Sequence, residues 1–464
     1  MLRRSNGQRA LWDAVLFGAP DPRELMEPRL RRIDELLDDD ALVDGVLDAM
    51  RGRFPQSGRR GRRGTPAEVA LRMLVLKHLK NWSYEQLEWE VKGNLVYRHF
   101  CRIDAGKVPD AKTMVRLGQL LEGDALRGIF ERIVELAVER RVTRGRKMRV
   151  DTTVVETPIR YPSDSRLCED ITQVVCREIE RMRSEGVTAP PGFRNVQRSV
   201  SRRSREITYV SRRPVDRDAK RRALQKPYGR LLTITRRTIR HGEEAVKRAK
   251  RRWSRLSGRA RRSVINLERI TQLGRAVVKQ TKQRVFKGIT NSAEKLVSVF
   301  EPQTKILRRG KAGKPTEFGQ MVKVQEAEGG LVTDIAVVTE HDSALLVPSV
   351  EQHKKVFGRV PHVAATDRGF FSIANVRTIE AMGVRCAAVP KPGHRSPAWL
   401  ARERRRSFRK ARAWRAGGEA RIARLKHTFG MNRARYKGST GVARCAHWAG
   451  IANNLMAIGV ATQG

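Results

Sequence analysis

The sequence predicts an α/β chain. A mixed-sheet domain spans 144–460, a large basic helical insertion interrupts it at about 163–291, and an all-α domain at 65–137 precedes it. Three observations predict this order. Apolar residues recur at helical spacing through 65–137. Short alternating runs, the pattern of half-buried strands, begin near 147 and resume after 295. Between them lies a helix-patterned stretch of extreme charge, in which residues 201–260 hold 21 Lys and Arg against 5 Asp and Glu.

Composition narrows the function classes. A chain of 464 residues is long enough for two or three domains with a real core. Hydrophobic residues make up 40%, which excludes a disordered polybasic tail. Lys and Arg number 96 against 49 Asp and Glu, a net charge of +47. A folded chain this cationic repels itself unless a polyanion neutralises it. Nucleic acid is the leading candidate, because phosphate contacts release counterions and supply sequence-independent affinity. The charge is mostly Arg, which suits bidentate phosphate contacts. A coding bias toward Arg is the plainer alternative. Cys101, Cys168, Cys176, Cys386 and Cys445 form no CxxC pair and fit a reduced cytoplasm rather than a disulfide framework or a zinc site. No apolar run reaches the ~18 residues of a membrane span. No apolar secretory region follows Met1-Leu2-Arg3-Arg4-Ser5, so a cytoplasmic location is expected.

The elements follow in order. Residues 1–64 hold an acidic, helix-patterned stretch at 34–40 and a basic Gly-rich linker at 58–64. Thr65, Pro66 and Glu68 read as a cap, an N1 proline and an N3 glutamate. Val69, Leu71, Met73, Leu74, Leu76 and Leu79 then form a buried helix. Ser83, with Gln86 three residues on, opens a second helix, and a third begins near Asp110. This helical module serves either packing and dimerisation or DNA binding. The first strand ends at Asp151. In the insertion, Tyr228 and Trp253 are interleaved with the charge, where they could stack on bases or simply pack. A solvated helix face is the ordinary reading of a charge run; at this density a phosphate-facing surface is favoured.

Further strands are expected at 295–299, 305–308, 318–325 and 331–338, the last two joined by the turn Glu328-Gly329-Gly330. Then come a helix at 343–357, which Asp342 is placed to cap, and a strand ending at Asp367. A helix at 372–382, a strand at 384–389, a helix at 414–429 and an apolar helix at 448–458 complete the chain. This order matches a ribonuclease H-like mixed sheet with a helical insertion after its first strand.

Three separated acids carry the chemistry. Asp151 and Asp367 end strands, and Glu419 lies on a helix. Mg²⁺ takes hard oxygen ligands, usually a few carboxylates plus water and phosphate. Two such ions about 4 Å apart activate an attacking oxygen and stabilise a leaving one. Crowded carboxylates also need cations to be tolerated at all. Arg415, Glu419, Ile422 and Lys426 are spaced 4, 3 and 4 apart and share one helical face. The two cations could hold a nucleic-acid backbone beside the metals; an ordinary Arg–Glu surface pair is the alternative. Lys391, after the last strand, faces the same crevice. Glu156, Asp164 and Asp170 carry ordinary structural readings, and His353, His362, His394 and His427 form no metal-spaced cluster.

These residues carry a resemblance. The blocks Val150-Asp151-Thr152-Thr153, Ala365-Thr366-Asp367-Arg368-Gly369-Phe370 and Arg415-Ala416-Gly417-Gly418-Glu419 resemble the three acid blocks of DDE transposases of bacterial insertion sequences, with ISNCY-type members the nearest likeness. Arg415, Glu419 and Lys426 reproduce that family's R-(3)-E-(6)-K spacing; Arg412 stands where its usual tyrosine would be. The run Leu74-Val75-Leu76-Lys77, Trp82-Ser83-Tyr84-Glu85-Gln86-Leu87 and Tyr97-Arg98-His99-Phe100 is similar to the family's N-terminal domain, so the likeness covers about 65–460. The resemblance implies metal-dependent cleavage at element ends and strand transfer into target DNA. It implies Asp151, Asp367 and Glu419 as catalytic residues and ligands of two Mg²⁺ ions, with Mn²⁺ as a substitute. It implies Arg415, Lys426, Arg368 and Lys391 as DNA contacts, and a homodimer or higher assembly pairing two DNA ends. A ribonuclease H-like nuclease that cuts without joining, and a catalytically dead DNA-binding derivative, are the alternatives.

Overall fold

The computed structural model describes residues 21–461 apart from 54, 55, 57–63, 104, 105, 215, 291–294 and 309–314. Most of the expected Gly-rich linker at 58–64, and the first twenty residues, lie outside the described residues. In chain order the elements begin with helices α1 (Pro28–Leu36), α2 (Asp40–Arg53), α3 (Ala67–Lys80), α4 (Tyr84–Gly93), α5 (Leu95–Phe100), α6 (Ala111–Leu120) and α7 (Gly123–Glu139). Strand β1 (Lys147–Glu156) precedes α8 (Asp164–Ser184), α9 (Gln197–Ser211), α10 (Arg217–Lys250), α11 (Gly258–Phe286) and β2 (Lys305–Arg308). The chain ends with β3 (Thr316–Ala327), β4 (Leu331–Val338), α12 (Asp342–Phe357), β5 (Val363–Ala365), α13 (Ile373–Ala381), β6 (Cys386–Ala388), α14 (Pro397–Arg404), α15 (Arg406–His427) and α16 (Gly438–Ala461).

These elements form two compact units, residues 1–158 with 311–464, and residues 159–310. In the first unit the strands run β4-β3-β1-β5-β6. β3 is antiparallel to β1 and β4 to β3, whereas β5 is parallel to β1 and β6 to β5. The hairpin between β3 and β4 turns at Gly329 and Gly330, both at positive φ, which glycine adopts without steric penalty. Side chains alternate across β1 with the strand period of two. Met148 and Val150 pack with Leu346, Val350, Phe370 and Ile379 beneath α12 and α13. Val155, on the other parity, joins the core built by α1–α7 and α16. The seven N-terminal helices therefore share one core with the sheet, through Trp448, Ile451 and Leu455 of α16.

Local rules account for most helix starts. Ser83 accepts from the Gln86 amide and Asp110 from the Thr113 amide, as their spacing predicts. Three expectations are corrected. Helix α3 starts at Ala67, with Pro66 at the N-cap instead of N1. Glu68 then serves the buried cluster around Arg72, whose guanidinium also meets Asp34 at 2.6 Å and Asp38 at 2.6 Å. His341, not Asp342, caps α12 by accepting from the Ser343 amide. Residues 295–299 form no strand: the Gln280 amide side chain both donates to the Leu296 carbonyl at 3.0 Å and accepts from its amide at 3.0 Å, replacing a strand partner.

The second unit is a helical body. α8, α10 and α11 close around Ile171, Val175, Leu231, Val264, Leu267, Ile270 and Val277. Gly242 and Gly274 permit the approach, since a Cβ at Gly274 would lie 2.9 Å from Ile239. Tyr228 is buried in this core and donated to by Arg284 at 3.0 Å, so it packs. Trp253 remains 38% exposed, with the Arg261 guanidinium over its ring at 5.6 Å.

Candidate active site

The sheet brings two of the three acids level with each other. The parallel pairing of β1 and β5 ends at Arg149 opposite Ala365. Two residues further along the chain stand Asp151 and Asp367, the latter just past the end of β5. Asp151 does not end its strand as expected but lies mid-way along β1, whose pairing with β3 continues to Glu156. Neighbouring strands lie about 4.8 Å apart, so this register places both aspartates at one edge of the crevice. The Thr152 amide donates to Asp151 Oδ1 at 2.8 Å. The Gly369 amide donates to Asp367 Oδ1 at 2.6 Å, in the short turn after β5.

Helix α15 supplies the rest. Arg415 Nη2 lies 3.1 Å from Asp151 Oδ2, and its Nη1 lies 3.6 Å from Glu419 Oε1 one turn away. Glu419 itself faces solvent, its side chain 73% exposed. Arg415 thus bridges the strand acid and the helix acid. It also lines two clefts. A small one is bordered by Asp151, Glu326, Gly418 and Ile422. A larger one, of about 430 Å³, is lined by Asp367, Arg368, Lys391, Arg395, Arg412 and Arg415. Five cations to one carboxylate give the larger cleft a strongly positive potential. Lys426 lies three turns beyond Arg415, about 16 Å along the helix axis, and lines neither cleft. The shared helical face expected from the spacing therefore brings Arg415 and Ile422 to the clefts, while Glu419 lines neither cleft and is tied to them only through Arg415, and Lys426 lies away.

Sequence reasoning missed what docks α15 on the sheet. Arg149, next but one to Asp151, donates to Glu326 of β3 at 2.9 and 2.7 Å and to the Trp414 carbonyl of α15. Its guanidinium also stacks over the Trp414 ring at 4.7 Å. Gly417 explains itself here, because a Cβ there would sit 2.9 Å from the Arg149 guanidinium. Arg421, one turn on, reaches Glu326 at 3.2 Å and Asn453 of α16 at 2.9 Å. Arg395 of the larger cleft was not anticipated, since nothing local to it signals the crevice, whereas the sequence marks Arg412, which also lines it, only as the residue at the signature's tyrosine position.

Among the described residues, no three His, Cys, Asp or Glu side chains are grouped as ligands of a metal ion. No helix of the described residues is long and apolar enough to cross a membrane.

Residues 21–119 match a protein family described as Transposase domain (DUF772). No curated protein and no solved structure matches the chain. The match covers α1 to α6 and stops short of the sheet, so it supports a DNA-processing enzyme of the transposase kind and bears on no carboxylate.

Proposed function

We propose that this chain is a DDE transposase with a ribonuclease H-like catalytic domain, which cleaves DNA at element ends and transfers the strand into target DNA. One observation carries the reading: Asp151 on the central strand and Asp367 just past its parallel neighbour are level in register, with Arg415 of a late helix paired to the first of them and, one turn on, to the exposed Glu419. The strand order β4-β3-β1-β5-β6, with only β5 and β6 parallel to β1, is the order expected of a ribonuclease H-like sheet. The transposase-domain match over residues 21–119 supports the same class independently.

The donor chemistry suits a hard divalent cation, although among the described residues the three acids are not gathered into one ligand set. Asp151, Asp367 and Glu419 offer carboxylate oxygens only, the set that Mg²⁺ prefers. A positive group already stands among them, since the Arg415 guanidinium bridges Asp151 and Glu419. Two Mg²⁺ ions held there would activate the attacking oxygen and stabilise the leaving one. The chain's own residues do the remaining work. Arg368, Lys391, Arg395 and Arg412 hold the phosphates of a DNA strand in the cleft beside Asp367. Arg415 reaches both the cleft and Asp151, and so orients the strand against the acids. Exposed basic residues of α10, among them Arg222, Arg230 and Arg237, hold further DNA without reading sequence. Two element ends must be paired, so the working assembly is a dimer or larger.

The test is an Asp151→Asn substitution in the full chain, assayed with Mg²⁺ and the DNA flanking its gene. Loss of cleavage and joining by about a thousandfold, the scale of several kcal/mol of lost charge stabilisation, with DNA binding retained, is expected. Cleavage without joining by the wild type would instead favour a nuclease. Binding with no wild-type activity would favour a DNA-binding derivative.

A further inference from the structure

Asp342 belongs to no block of the acid signature, yet it bonds the residue after Asp151 and stands beside the turn after Asp367. Its Oδ1 accepts from Thr152 Oγ1 at 2.9 Å, and Thr152 is the residue whose amide holds Asp151. Its Oδ2 stands on the side of Gly369 where a Cβ would project, and the Gly369 amide is the one that holds Asp367. A Cβ at Gly369 would come within 3.1 Å of Asp342 Oδ2 and 3.0 Å of Asp367 Oδ1. Gly369 is therefore glycine for close approach, not for an unusual backbone angle. Asp342 does not cap its own helix, a role that His341 takes. It is left facing β1 and the β5 turn.

We propose that Asp342 is a positioning residue for the divalent-cation site. It fixes the spacing of the Asp151 and Asp367 carboxylates by clamping Thr152 on one side and the Gly369 turn on the other. This rests on the reading of Asp151 and Asp367 as cation ligands. The clamp works by geometry: Asp342 accepts from the Thr152 hydroxyl and packs into the space left open at Gly369, and the amides of these two residues each orient a carboxylate. Partners of this kind, one step removed from a metal, commonly govern affinity as much as shape.

The experiment measures Mn²⁺ binding to the full-length protein by electron paramagnetic resonance of the free ion, beside thermal melting. Asp342→Ala and Thr152→Val should each weaken Mn²⁺ binding by about 10- to 100-fold. Asp342→Asn, which keeps an oxygen acceptor for Thr152, should bind close to wild type. Gly369→Ala should weaken Mn²⁺ binding by pushing the two carboxylates apart. An Asp342→Ala protein that binds Mn²⁺ like wild type overturns the inference. So does an Asp342→Asn protein as impaired as the alanine variant, because charge and not position would then be what matters. A wild type that takes up no Mn²⁺ overturns the cation reading itself, and the inference with it.

Discussion

Arg149 and Glu326 form a paired double hydrogen bond, at 2.9 and 2.7 Å, in the floor of the candidate site. Both are buried, at 9% and 3% exposure. A buried ion pair gains little over an apolar pair, but losing one partner strands a charge, at a cost of about 3–5 kcal/mol. Glu326→Ala should therefore lower the urea midpoint of unfolding sharply. Arg149→Met combined with Glu326→Leu should recover much of the loss. A Glu326→Ala protein as stable as wild type would show that the pair does not hold α15 to the sheet.

The clefts and the basic helices make separable predictions about salt. Each phosphate contact removed should lower the slope of log K against log salt by about 0.9. Arg395→Gln with Arg412→Gln tests the cleft beside Asp367. Arg222→Gln, Arg230→Gln and Arg237→Gln together test the exposed face of α10. Fluorescence anisotropy across a salt series reads both. An unchanged slope in the α10 variant would return that charge to an ordinary solvated helix face, and an unchanged slope in the cleft variant would remove the cleft from the DNA path.

Local chemistry in the sequence reaches far but stops at tertiary contacts. The alternation that marks β1 and the β3–β4 hairpin is a property of a few neighbouring residues, and so are the Ser83 and Asp110 caps. The level placement of Asp151 and Asp367 follows once β1 and β5 pair in parallel. The docking of α15 was not legible, because Arg149 and Glu326 are 177 residues apart and nothing near either announces the other. The same holds for Asp342, whose position before a helix suggests a cap by local rule while a side chain 190 residues away claims it. At 295–299, Val297 and Val299 alternate as in a strand. Their burial is met by helical packing, and Gln280 satisfies the Leu296 backbone.

A buried lysine makes the stability of the first unit depend on pH. Lys77 of α3 is 3% exposed, with its ammonium over the Tyr84 ring at 4.7 Å. Burial, assisted by the nearby Arg435 charge, draws its pKa down from 10.5 to about 8. The folded value lies below the unfolded one, so the unfolded chain binds the extra proton between them. The penalty is present in full below pH 8 and is relieved as pH rises from there toward 10.5. Lys77→Met should thus be more stable than wild type at pH 7, by up to about 3 kcal/mol. That advantage should shrink by about 1.4 kcal/mol per pH unit above pH 8. Cys445 has the opposite sense, its thiol raised to about 11 by burial; the Lys77 charge holds it down, so removing that charge raises the thiol further and adds to the shrinkage above pH 9. Urea unfolding of the two proteins at pH 7, 8, 9 and 10 measures the difference directly. A difference that stays constant across that range would mean that Lys77 keeps its ordinary proton affinity in the fold, and that the apolar surroundings of α3 are better hydrated than their burial implies.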